Sequence, residues 1–151
     1  LQDIYELYLM RANYEVLSVK VAETLFTEEE IAEMAMAVKA MDPSLIRDYD
    51  DMSELDNRFH RVIAAKCGLK HLYNNWDSLS YCGMLAICYS NRPMDYLISI
   101  QEKNHKELLS VIEEGDRDKI CKRIIFHYMN PVKELMDEQG IDYCQNAFEL
   151  V

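Results

Sequence analysis

The stretch MSELDNRFHRVIAAKCG, Met52 to Gly68, decides the fold. Met52, Leu55, Phe59, Val62 and Ile63 recur at intervals of three and four, which places them on one face of an α-helix. Gly68 is a stop signal for that helix. Asp56 and His60 lie within the same apolar stripe, spaced i, i+4, so their side chains stack on the buried face. An aspartate on a core face costs several kcal/mol, on the order of the usual buried-charge penalty, unless something pairs with it. The segment therefore builds a core and carries into it a group that needs a partner. A metal ion is one candidate.

The chain on either side reads as helix from end to end. A first helix spans about Gln2 to Leu25, with Ile4, Leu7, Met10 or Arg11, Tyr14, Leu17 and Val21 on one face. Thr27 followed by Glu28, Glu29 and Glu30 is an N-cap with a capping-box acid and opens a second helix that ends near Met41. Asp42-Pro43 starts a short third element. The aspartates before Ser53, or Ser53 itself, open the helix that ends at Cys67-Gly68. A fifth runs from about Leu69 to Tyr89, and a sixth from Pro93 to Glu114. Gly115-Asp116 is a tight break with an N-cap ready, and a seventh helix ends at Gly140, followed by a short tail. Connections this short make neighbouring helices antiparallel. The expected fold is an all-α antiparallel bundle of six to seven helices, a single domain over residues 1–151.

Helix arithmetic then locates two further histidines. His105 falls on the row Ile98, Gln101, His105, Leu108, Ile112. It lies ten residues before Gly115, and His127 lies twelve after it. In a hairpin both sit about 15–18 Å below the turn at 1.5 Å per residue, facing each other. Alternating helix directions put the Gly68 and Gly115 turns at the same end of the bundle. Asp56 and His60, twelve and eight residues below Gly68, then share that layer. Three imidazoles and a carboxylate converging inside a core form a candidate divalent-metal site. A lone core histidine is more often simply hydrogen-bonded, and an Asp–His pair an ion pair; four such groups in one layer are not so easily explained. The fourth histidine, His71, is three residues past Gly68 and belongs at the rim.

Composition bounds the function. Half of the 151 residues are hydrophobic, so the chain can bury a full core, and four glycines and three prolines suit long helices. A net charge of −11 repels phosphate backbones and anionic membranes. No apolar run approaches the roughly 20 residues of a membrane span, and no signal peptide is visible. The five cysteines, Cys67, Cys82, Cys88, Cys121 and Cys144, are odd in number and contain no CxxC pair. They read as reduced core residues of a cytoplasmic protein.

These motifs resemble the effector-binding C-terminal FCD domain of FadR-type, GntR-superfamily transcription regulators. The resemblance covers nearly the whole chain. It rests on Arg11-Ala-Asn-Tyr-Glu15, the Thr27-Glu-Glu-Glu helix start, Asp56-Asn-Arg-Phe59-His60 with its apolar run to Gly68, Asn104-His105 to Gly115-Asp116, and His127. It implies a metal-binding subgroup in which Asp56, His60, His105 and His127 hold a divalent ion (Zn, Ni, Mn or Fe). It also implies that a small organic-acid effector completes the metal shell. Three neutral imidazoles and one carboxylate leave net positive charge on the metal, which suits an anionic oxygen ligand. Arg11 is a candidate second anion contact; a structural salt bridge to Glu15 is the alternative. Leu69 stands where the family commonly has Asn, a matter for the local turn. Asn104 stands where an acid often precedes the central histidine, which bears on the pocket's charge.

Such regulators carry an N-terminal winged helix-turn-helix. Nothing wing-like precedes Leu1, so DNA contact is expected through a segment outside this sequence, with a homodimer matching operator symmetry. The expected function is a ligand sensor rather than an enzyme. The rival is a helical metalloenzyme. Glu102-Lys-Asn-His105 supplies one E-x-x-H, but a di-iron bundle needs two, and no motif assigns the general base of a mononuclear hydrolase. A third reading, a pure interaction bundle, leaves Asp56 unexplained.

Overall fold

A computed structural model describes residues 2–79 and 92–142, and these form an all-α bundle. The helices are α1 (Gln2–Val21), α2 (Glu28–Ala40), α3 (Tyr49–Ala65), α4 (Lys70–Asp77), α5 (Met94–Glu113) and α6 (Arg117–Gln139). The caps that start and stop them follow from side-chain chemistry. Thr27 and Glu30 form a complete capping box, Asp48 caps α3 by accepting from the Asp51 N–H, and Asp116 caps α6. Gly68 and Gly115 take φ of 67° and 70° at the ends of the α3 and α5 segments, a left-handed conformation that favours glycine.

Two elements differ from the sequence expectation. Asp42-Pro43 begins a turn, not a helix: the Asp42 carboxylate accepts from both the N–H and the hydroxyl of Ser44, a local bond that competes with helical pairing. The second difference is the face of α1. Ile4, Tyr5, Tyr8, Ala12, Val16 and Val19 are buried, whereas Met10, Leu17 and Val21 are about half exposed. Apolar residues surround this helix on every side, so periodicity alone does not choose the inward face. Of the expected Leu69–Tyr89 helix, α4 is the described part; residues 80–91 and the tail beyond 142 lie outside the described residues.

Long-range hydrogen bonds fix the directions. Ser18 of α1 donates to the carbonyls of Ile63 and Ala64 and accepts from the Cys67 N–H, tying the C-terminal ends of α1 and α3 together. Arg117, which opens α6, donates to the carbonyls of Val19 and Ala22 at that same end. The Gly68 and Gly115 turns therefore share one end of the bundle. α1 runs parallel to α3 and antiparallel to α6, and α4 descends beside them. A continuous core of buried residues joins these helices, centred on Phe59, Ile63, Leu108, Ile120, Ile124 and Met129. No helix among the described residues is long and apolar enough to cross a membrane.

Candidate metal centre

The four expected side chains meet. Asp56 and His60 from α3, His105 from α5 and His127 from α6 each present one ligand atom, and these atoms all lie within 4.8 Å of one another. His60 and His105 are fully buried and His127 nearly so, while the Asp56 side chain keeps 13% of its exposure. The shared layer follows from the fixed rise of the helices and the common level of their glycine turns. His71, the control, is exposed on the first turn of α4.

The distances suit a single divalent cation. His60 Nε2 lies 3.0 Å from His127 Nε2, His105 Nε2 lies 3.2 Å from Asp56 Oδ1, and His60 Nε2 lies 3.8 Å from the same oxygen. Metal–ligand bonds of about 2.0–2.2 Å place neighbouring ligand atoms roughly 3.0–3.6 Å apart. Proton positions point the same way. His105 Nδ1 is 2.8 Å from the Gln101 carbonyl, which can only accept, so Nδ1 carries a hydrogen, and in the neutral imidazole Nε2 offers a lone pair. That lone pair faces the Asp56 carboxylate, and Nε2 has no hydrogen-bond partner. The contact of 3.2 Å is thus close without being a hydrogen bond, an arrangement that a shared cation relieves. His127 Nδ1 is likewise buried without a hydrogen-bond partner.

Electrostatics favours the ligating forms of two of the donors, Asp56 and His127. Burial would raise the Asp56 carboxyl, but His60, His105 and Arg11 outweigh it and hold the group far below the usual carboxylate range. Burial, reinforced by His105 and His60, pushes the His127 imidazole well below its ordinary value, so it stays neutral.

A residue that periodicity did not single out supports the cluster. Glu15, fully buried on α1, places Oε2 3.0 Å from His60 Nδ1 and accepts at Oε1 from Trp76 Nε1 at 2.8 Å and from the Tyr128 hydroxyl. The indole can only donate, so Oε1 is an acceptor, and Oε2 accepts the His60 Nδ1 hydrogen. His60 is then held in the tautomer that leaves Nε2 free to ligate, as in carboxylate–histidine–metal triads. Burial pushes the Tyr128 phenol well above its ordinary value, so it remains a donor. The sequence signal for Glu15 was its place four residues after Arg11, on one helix face.

Arg11 lies beside this layer. Its guanidinium donates to Asn57 Oδ1 at 2.5 Å and to the Leu79 carbonyl at 3.3 Å, and stacks 4.6 Å from the Trp76 ring centroid. Burial works against its charge, but Tyr128, Asp56 and Glu15 together raise its pKa.

A cavity of about 440 Å3 opens onto the cluster at Asp56 and His127. Its walls come mainly from α5 and α6. Asn104, the departure from the family pattern, is one of its lining residues. Leu69, the other departure, is the N-cap position of α4 and makes no side-chain cap bond there. Pro131, four residues beyond His127, also lines the cavity; lacking an N–H, it cannot satisfy the His127 carbonyl in the helical manner. Of the cysteines, Cys67 and Cys121 are free thiols, and the other three lie outside the described residues.

A family model described as the FCD domain matches residues 6–129. No curated protein and no solved structure gives a match. The matched span contains all four candidate ligands together with Arg11 and Glu15.

Proposed function

Because this chain belongs to the FCD domain family, the C-terminal effector-binding domain of GntR-family regulators, we propose that it is the ligand-sensing part of a transcription regulator and binds its effector at a divalent metal. One observation carries this reading. Three imidazole nitrogens and a carboxylate oxygen lie within 4.8 Å of one another where a cavity of about 440 Å3 meets them. Asp56, His60, His105 and His127 would hold the ion, with Zn, Ni, Mn and Fe all compatible with this donor set. Bound there, the ion would supply positive charge for a small carboxylate effector. Arg11 is the second anion contact in this proposal. It lies at the level of Asp56, and reaching an anion would require it to leave Asn57 and the Leu79 carbonyl.

The regulation we propose is differential binding. Ligands come from α3, α5 and α6, so an effector that prefers one arrangement of these helices shifts the population toward it. A homodimer would relay that shift to DNA-binding segments outside this sequence, and the acidic surface favours such a division of labour. Metal content of the purified protein tests the centre, compared with His105→Ala and His127→Ala. A near-stoichiometric divalent metal that is lost in both variants is expected; unchanged content refutes the site. The metalloenzyme reading predicts turnover of esters or phosphate esters by the metal-loaded protein, and the sensor reading predicts none.

A further inference from the structure

The shape and lining of the cavity narrow the effector class, given the sensor reading above. On α5 the lining positions include Tyr96, Ile100, Asn104 and Glu107, spaced by four, four and three. On α6 they include Phe126, Asn130, Pro131 and Glu134. Both sets are single stripes along a helix. The α5 stripe from Tyr96 to Glu107 is eleven residues, about 16 Å of helix axis, and the α6 stripe from Phe126 to Glu134 is eight residues, about 12 Å. The described lining of this cavity of about 440 Å3 thus follows the two helices and makes a trough between them.

The trough has a chemical direction. α5 and α6 form an antiparallel hairpin, so Asn104 lies level with Phe126 and His127, at the metal end, and Glu107 lies about a turn nearer Gly115, where it pairs with Arg123. Away from the metal end the walls include the apolar Leu97, Ile100, Pro131 and Leu135, with Tyr8 contributed by α1, interrupted by Gln101 and Asn130. Arg92 lines the far end, where it pairs with Glu138 at 2.6 Å and stacks 5.5 Å from the Tyr96 ring centroid. The cation there is already matched by a carboxylate, and Glu134 lies nearby. At that far end a second acid on the ligand would meet a neutralised or acidic surface, the lining cation Lys103 standing next to Asn104 nearer the metal, while an apolar body would lose water against aliphatic and aromatic walls.

We propose that the effector is an elongated monocarboxylic acid with an alkyl or arylalkyl body, its carboxylate at the Asp56–His127 end and its body laid between α5 and α6 toward Leu135. Compact hydroxy acids and polyacids fill only the metal end of such a trough.

The test uses the chain loaded with Zn2+ and titration calorimetry with a graded series: acetate, butanoate, hexanoate, octanoate and 3-phenylpropanoate, with lactate and citrate as compact comparisons. Affinity should rise about threefold to fourfold per added methylene until the trough is filled. Octanoate and 3-phenylpropanoate should exceed lactate and citrate by tenfold or more. Ile100→Trp, which fills the trough, should bring octanoate down to the affinity of acetate. The wild-type series stands as a test by itself if that variant unfolds. Binding that is flat with chain length, or tightest for citrate or lactate, overturns the proposal and leaves the metal-sensor reading intact. Failure to take up Zn2+, or Zn2+ uptake with no acid bound at all, overturns both.

Discussion

Replacing Glu15 by glutamine tests the reasoning about the candidate centre most sharply, because the substitution leaves all four ligand residues in place and acts only through its contact with His60. The glutamine keeps the volume and one acceptor oxygen. That oxygen can still serve Trp76 Nε1 and the Tyr128 hydroxyl, which both bond to Glu15 Oε1. The new amide nitrogen then faces His60 Nδ1, where Glu15 Oε2 sits at 3.0 Å. Two N–H groups cannot face each other, so the imidazole must move its hydrogen to Nε2, the atom 3.0 Å from His127 Nε2. A protonated Nε2 cannot ligate. Loss of an outer-shell partner of this kind costs about 10–100-fold in metal affinity, equivalent to roughly 1.4–2.7 kcal/mol. The apo protein exchanges the carboxylate–imidazole bond for an amide-to-imidazole one, a loss of about 1 kcal/mol, which for a chain of 151 residues lowers Tm by roughly 2–4 °C. Competition against a chromophoric Zn2+ chelator reads the first quantity and a melt of the metal-free protein reads the second. If Glu15→Gln binds Zn2+ within twofold of the wild type, the tautomer argument is wrong.

Three further outcomes are expected. Metal at 100 times its dissociation constant should stabilise the wild type by about 2.7 kcal/mol, seen as a Tm rise that a chelator reverses and that His105→Ala does not show. Thr27→Ala removes the side-chain acceptor of the Glu30 N–H, one half of the α2 capping box, and leaves the backbone half to Glu30 in place; it should cost about 1 kcal/mol in a denaturant melt, with metal content unchanged, and a neutral result would mean that the hydroxyl cap contributes nothing. Burial pushes the Cys121 thiol above its ordinary value. As pH rises past about 8.5, the unfolded chain therefore releases a proton that the folded chain retains, and this thiol's contribution to stability falls. At pH 8 in native buffer, residue-resolved alkylation should find Cys121 slower than the half-buried Cys67, and the two equal in denaturant; equal native rates would contradict the burial.

Much of the candidate site was legible in the sequence because its geometry reduces to counting. Helix rise is fixed, Gly68 and Gly115 mark the turns, and the distances of Asp56, His60, His105 and His127 from those turns set their depth. Short-range chemistry was equally readable where one side chain decides the outcome, as in the Thr27 capping box and the Asp116 N-cap. Asp42 was misjudged because its carboxylate can satisfy either a helix start or a turn, and the Ser44 hydroxyl tipped the balance toward the turn.

What could not be counted was the docking of α1. Its apolar residues occupy every face, so burial of Tyr8, Ala12 and Val19 in place of Met10, Leu17 and Val21 is settled only by partners distant in sequence. Those partners are polar. Ser18 is tied to the carbonyls of Ile63 and Ala64, and Arg11 to Asn57. Glu15 lies between them and meets His60, one turn above Asp56 on α3. A one-residue rotation of α1 would keep comparable apolar area inside but would strand Glu15 and Arg11 without partners, at a cost of several kcal/mol for each buried charge. The buried polar row therefore specifies the register that the apolar pattern leaves open. The helix that looked least informative in the sequence thereby holds the first imidazole of the centre in its ligating tautomer.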